Sequence, residues 1–231
     1  MSFTQLCQRR NYDNFLTRIA ASSIKHESNT KKFLFQVLVA TLSLLTACAT
    51  LEVEQDIRDG RNSLLRGQLD NAVNYFSRAA QLKPEYRTSY ALRESVWTYL
   101  GRTFYEMGKY PESRTALDKA LATDNKDFMA RLYQGMVFTR SGERERGLAQ
   151  METALNEMHQ WLDNITTDSS DGIYWDPNRQ IRKTIETSLS EKPTAIEMVV
   201  MAQRIGKQLE EEIDRAERDK IRSSYDRGTT N

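Results

Sequence analysis

Three pairs of glycines recur at one spacing: Gly60 and Gly67, Gly101 and Gly108, Gly135 and Gly142, each pair seven residues apart. A glycine that recurs in register marks either a backbone turn or a place where two helices approach closely. Apolar residues fall at three- and four-residue spacing around each pair, the period of an amphipathic helix. A generic helical bundle has the same apolar period but no need of glycines in one register. The chain is therefore read as all-α and built from a repeated helical unit.

The second copy is the fullest, with Trp97, Leu100, Gly101 and Phe104 opening it and Gly108, Leu117 and Ala120 following. The copy before it has Gly60, Gly67, Ala72, Phe76, Ala79 and Pro84. The copy after it has Gly135, Phe138, Gly142, Gly147, Met151 and Ala154. This pattern resembles the tetratricopeptide repeat, a helix-turn-helix unit of about 34 residues. The windows are 53–86, 94–127 and 128–161, so the repeats occupy 53–161. Small residues let the paired helices approach, and Phe76, Leu117 and Met151 fill the space between them. Departures are Asp56 and Asp59 in the first copy, Arg131 and Gln134 in the third, and Asn125 and His159 at the closing-proline positions. Residues 87–93 are an insert, expected to lengthen the first helix of the second copy.

Ahead of the repeats, Lys31 and Lys32 precede fifteen residues, 33–47, that are almost all apolar or small, and then Cys48. A charged stretch, an apolar run and small residues before a cleavage point make a secretory signal. The run is too short to span a bilayer, which takes about 20 apolar residues. Leu45-Thr46-Ala47-Cys48 resembles the lipobox of bacterial lipoproteins. That resemblance implies a diacylglycerol on the Cys48 thiol, removal of 1–47, and a mature chain hung from a membrane by lipid. Ala49, where an Asp would favour inner-membrane retention, implies an outer-membrane lipoprotein facing the periplasm of a bacterial envelope. Residues 1–30 are polar and aperiodic and read as an extension from a start placed too far upstream. Residues 48–52 form the lipidated linker.

The whole chain has 33 basic and 32 acidic residues; six and two of these lie in 1–47, which leaves a formal net charge of −3 on 48–231. No field of either sign points to nucleic acid. Beyond Cys48 no cysteine remains and His159 is the single histidine, so no disulfide, catalytic thiol or histidine-based metal site is expected. There is no phosphate loop, metal-ligand spacing or activated nucleophile, so the chain is not read as an enzyme, and no cofactor besides the lipid on Cys48 is expected.

Residues 162–176 are read as a loop, polar from Thr166 and ending in Tyr174 and Trp175, which are either a binding patch or a plug beneath the last helices. Asp168, Asp171 and Gly172 lack the distal glutamate of a calcium loop. A change to leucine at Gly172, placed in a loop, is expected to matter less than the same change at Gly101. Asp176-Pro177 reads as a helix start, with capping helices over 177–222 and a disordered tail at 223–231. Ile196, Val199, Ile205, Leu209 and Ile213 form the apolar stripe of the last helix, and Glu210, Glu211 and Glu212 are read as a solvated face.

Tetratricopeptide arrays bind proteins or peptides along the concave face of their first helices. Helical spacing places Arg61 and Leu65, Arg102 and Tyr105, and Arg140 on that face. The mixture suits a protein or peptide partner in the envelope that carries apolar anchors and carboxylates. Arg102 and Tyr105, on the groove side of their helix, are expected to be dispensable for folding. The alternative occupant of the groove is the chain's own C-terminal helices. In function the chain reads as an adaptor in envelope assembly or secretion, or, alternatively, as a ligand-binding accessory lipoprotein of a transporter.

Overall fold

A computed structural model of the chain describes residues 50–168 and 172–228. One compact unit begins at Glu52; the other, residues 1–51, falls almost wholly outside the described residues, and Cys48 with it. No helix among the described residues is long and apolar enough to cross a membrane.

The described chain is helical over 50–65 (α1). There follow Leu69–Leu82 (α2), Val96–Glu106 (α3), Tyr110–Thr123 (α4), Phe128–Arg140 (α5), Arg144–Asp168 (α6), a short 3₁₀ turn at Gly172–Tyr174, Gln180–Ser190 (α7) and Ala195–Gly228 (α8). The first six form three tandem helical hairpins, the tetratricopeptide-type solenoid. The only strand-like pairing described is an isolated bridge between Arg87 and Ser95.

The three hairpins turn in the same way. Gly67, Gly108 and Gly142 have φ of 72°, 72° and 95°, a left-handed conformation that costs other residues roughly 1–2 kcal/mol. Each glycine amide donates back to Leu64, Tyr105 or Thr139, at 3.0, 2.9 and 3.2 Å. The next amide, on Gln68, Lys109 or Glu143, donates to Ser63, Phe104 or Phe138, at 2.8, 2.9 and 2.9 Å. This is the Schellman arrangement three times over, and it satisfies carbonyls that a helix end leaves open.

The other glycine of each pair is a packing glycine. A Cβ on Gly60 would lie 2.5 Å from Phe76 Cε1, and one on Gly135 would lie 2.8 Å from Met151 Cγ. On Gly101 it would run into the Leu117 side chain. Phe76, Leu117 and Met151 are fully buried. Phe76 stacks on Tyr99 at 5.1 Å, which joins the first hairpin to the second.

Several boundaries differ from the sequence reading. Residues 87–93 do not lengthen α3; they loop. Ser95 caps α3 by accepting from the Thr98 amide at 3.2 Å, and Thr88 ties the loop by donating to the Leu92 carbonyl at 2.9 Å. α6 runs to Asp168, because His159 stands where a proline would stop it and Leu162 extends the buried face. α7 starts at Gln180, not at Pro177: Asp176 has φ 42°, and its carboxylate accepts from the Ile181 and Arg182 amides at 3.0 and 3.1 Å. α8 continues through Gly228, so 223–228 is helical, and 229–231 lie outside the described residues. Its start is a capping box, in which the Thr194 amide donates to Glu197 at 2.8 Å. The buried stripe of α8 is Met198, Val199, Ala202, Ile205, Leu209, Ile213 and Ala216, while Ile196 is exposed.

Gly101→Leu has no room and is expected to cost about 1–3 kcal/mol or more. Gly108→Ala meets nothing within 4 Å and pays only for its backbone conformation. Urea denaturation of both variants is expected to show the larger midpoint loss for Gly101→Leu. Equal losses would mean that Gly101 is not at a tight crossing. Gly172 is not a tolerant position after all: it is buried, and a Cβ there would collide with the Ile165 carbonyl.

Candidate functional site

The inner face of the repeat is built by α1, α3 and α5, and α8 of the same chain is laid into it. Glu210 is at the centre. Its carboxylate accepts from Arg61 Nε, and from Arg102 Nη1 at 2.7 Å. Arg102 Nη1 also donates to Glu94 at 2.9 Å, and Arg61 Nη2 to Asp214 at 2.9 Å. Glu210, Arg102 and Arg61 are 1%, 2% and 3% exposed. The Arg102 guanidinium lies 5.3 Å from the ring centres of both Tyr99 and Tyr133. Gly206 lets α8 come close here, since a Cβ on it would lie 3.3 Å from the Tyr133 ring.

The carboxylates that Arg61 and Arg102 meet therefore belong to the chain itself, not to a visiting partner. Tyr105 is buried too, edge-on to Tyr133 at 5.6 Å. Arg102, buried and bonded to Glu210 and Glu94, is part of the core rather than of an open groove. Glu210 and Glu212 are not a solvated face either, since both are buried and only Glu211 fits that description. Leu65 is half-buried and Arg140 exposed, so these two of the five groove residues remain reachable.

Burial pushes the Glu94 carboxyl up to about 7; Arg102 opposes this, and Glu210 adds to it. Glu94 Oε2 and Arg102 Nε find no hydrogen-bond partner among the described residues. Burial alone would raise Glu210 as well, but Arg102 and Arg61 outweigh it and hold it below the usual carboxylate range. Glu210, which touches two guanidinium groups, is held lower than Glu94, which touches one.

A second polar cluster fixes the far part of α8. The Asp176 amide donates to Glu212, Arg215 donates to Glu212 and to the Tyr174 carbonyl, and Arg182 Nε donates to Asp176 at 3.0 Å. Trp175 is buried edge-on against Trp161 at 5.0 Å, in the position of a plug. The side chain of Asp168, and Asp171 entirely, lie outside the described residues. No group of carboxylates, histidines and cysteines able to hold a metal occurs among the described residues.

What α8 leaves open is a cleft of about 360 Å³ where the α1–α2 turn, α3, α5 and α8 meet. Leu64, Leu65 and Leu69 form one wall, Glu106, Gln203 and Lys207 form its mouth, and Arg102, Tyr133 and Glu210 form the floor. Of the wall and mouth, the sequence reading placed Leu65 on the inner face. Gln203 and Lys207 were missed, because nothing local says that the last helix returns to the first.

By sequence, no family model and no curated protein matches the chain. By structure it is similar to the TPR domain of Arabidopsis OM64, at 17% identity over 63% of this chain and 99% of that one, with a TM-score of 0.44. It is also similar to the TPR2B domain of yeast Sti1 in a complex with pHsp70, at 13% identity over 67% and 98%, with a TM-score of 0.41.

Two outcomes are expected from the buried cluster. Glu210→Ala leaves two buried guanidinium groups short of a partner and is expected to cost about 3–5 kcal/mol in denaturant unfolding. A loss under about 1 kcal/mol, the scale of an exposed pair, would mean that the pair is solvated. The second concerns pH. Between the unfolded value of 4.5 and about 7, native Glu94 keeps a proton that the unfolded chain releases. The native state then binds more protons, so rising pH lowers stability across that window. The urea midpoint of the parent chain, relative to Glu94→Gln, is expected to fall between pH 5 and pH 7.5. A constant difference would show that Glu94 is ionised throughout.

Proposed function

We propose that the chain is a lipid-anchored interaction scaffold of the bacterial envelope, held at the outer membrane through Cys48 and facing the periplasm, where it engages a protein or peptide partner. The observation that supports this most is the inner face itself. Its arginines, tyrosines and leucines already recognise an amphipathic helix with a central glutamate, and that helix is α8. The repeat surface is thus a recognition surface in use.

That use limits how an outside partner binds. Releasing α8 exposes Met198, Val199, Ile205, Leu209 and Ile213, all fully buried. Each contributes about 1.5–3 kcal/mol on burial, so release costs on the order of a whole domain's stability, about 5–15 kcal/mol. A partner does not displace α8. It docks along the rim that remains, where Leu65 and Arg140 are accessible and the Arg140 guanidinium is drawn to the Tyr105 hydroxyl.

A second reading, a ligand-binding accessory lipoprotein for a transporter, is favoured by one observation. The residual cleft, about 360 Å³, is at the small end of the range for small-molecule sites, about 300–1,000 Å³.

Two experiments test the scaffold reading. Cys48→Ser is expected to abolish labelled-palmitate incorporation and to release the protein from membranes; undiminished label would overturn the anchor. A photocrosslinking residue at Leu65 or Arg140 is expected to capture one and the same envelope protein in intact cells, while one at exposed Lys119 on α4 captures none. Identical patterns from all three positions would count against a rim-specific partner.

A further inference from the structure

The charges around the cleft are not equivalent. Those of the floor are consumed internally, with Arg61 and Arg102 closed on Glu210, Glu94 and Asp214. There each guanidinium is already met by a carboxylate of the chain itself. At the mouth the situation reverses. Glu106, from α3, accepts from the Gln203 amide at 3.2 and 3.1 Å on its two oxygens and has no ion-pair partner among the described residues. Lys207, from α8, is 68% exposed, and its one ion-pair contact among the described residues, to Glu211, sits at the 4.0 Å limit. Partial burial pushes the Glu106 carboxyl up, against pulls from Arg102, from the Gln203 amide and from Lys207. Among the described residues no ion pair joins Lys207 to Glu106, although both line the cleft.

The mouth thus offers one fixed carboxylate and one ammonium, unpaired with each other, on two different helices. Beside them stands the wall of Leu64, Leu65 and Leu69. Resting on the ligand-binding reading above, we infer that this cleft binds a free hydrophobic α-amino acid. The ammonium of the amino acid lies on Glu106, its carboxylate on Lys207, and its side chain against the three leucines. The volume suits one amino acid and excludes a folded segment. An internal peptide segment has neither charge, and a peptide end has only one of the two, so a peptide leaves one member of the pair unanswered. Charge-assisted hydrogen bonds contribute more than neutral ones, so blocking either end of the ligand has a measurable cost.

The test uses the full chain, with folding of each variant checked by circular dichroism and melting. Titration calorimetry with leucine, N-acetyl-leucine and leucinamide, backed by NMR shifts, reads the two charges separately. Leucine is expected to bind, with N-acetyl-leucine and leucinamide each weaker by about tenfold or more. Glu106→Gln is expected to weaken leucine by about tenfold while leaving N-acetyl-leucine unchanged, and Lys207→Met to weaken leucine while leaving leucinamide unchanged. Leu65→Trp, which fills the cleft, is expected to abolish binding of all three. Equal binding of the three ligands, or leucine binding unaltered in Glu106→Gln, overturns the zwitterion assignment but leaves a small-molecule cleft. No shift or heat with any of them at about 10 mM overturns both.

Discussion

The carboxylate of Glu210, held between Arg61 and Arg102, is the contact on which the rest of this molecule depends. It joins the last helix to the first and second hairpins across the whole sequence, and it does so where water does not reach. Buried ion pairs contribute little net stability compared with apolar residues of the same shape, because desolvation offsets the attraction. What such a pair supplies is intolerance of error. Sliding α8 by one residue would strand Glu210 among apolar side chains and leave two guanidinium groups unpaired. The apolar stripe from Met198 to Ala216 provides the affinity of α8 for the groove, and Glu210 selects its register. Gly206 makes that register possible by letting the backbone pass Tyr133.

The parts of the fold that were legible are those set by short-range rules. A glycine in a left-handed turn and a glycine under a large side chain are local requirements, so Gly60, Gly67, Gly101, Gly108, Gly135 and Gly142 reported the three hairpins from sequence alone. The stripe on α8 was legible for the same reason, apart from Ile196, which is off the face that buries Ala195, Met198, Val199 and Ala202. Loops were harder. The seven residues at 87–93 have no helix-breaking residue of their own, and the break comes from the Ser95 cap and from the way Thr88 folds the segment on itself. Gly172 looked unconstrained because its neighbour in space, the Ile165 carbonyl, belongs to a helix that the sequence did not predict to continue so far.

The candidate site was the least legible part, and the reason is electrostatic. Three consecutive glutamates on a helix ordinarily face water, and taking one out of water is costly unless a partner waits. The partner of Glu210 is 149 residues upstream, and no periodicity within either helix announces it. Arg61 and Arg102, which helical spacing put on one face, both bond to Glu210, and Tyr105 packs edge-on to Tyr133. What the sequence left open was the identity of the carboxylate, and it proved to be the chain's own.

Filling the groove from within changes what the repeat can do. An open solenoid offers one long surface whose helices shift relative to one another, because each hairpin touches only its neighbours. Here α8 is fixed near its middle by Glu210 and further along by Glu212, Arg215 and Asp176, so it acts as a strut across the stack. The walls of the remaining cleft come from both parts, the leucines from the first hairpin's turn and Lys207 and Gln203 from the strut. Any molecule held there contacts both at once and binds only the docked arrangement, and by mass action it stabilises that arrangement against release. The rim residue Leu65 also sits on the cleft wall. Occupancy of the cleft and the shape of the rim are therefore linked through one rigid body, and the strength of that link is set by the buried carboxylate at its floor.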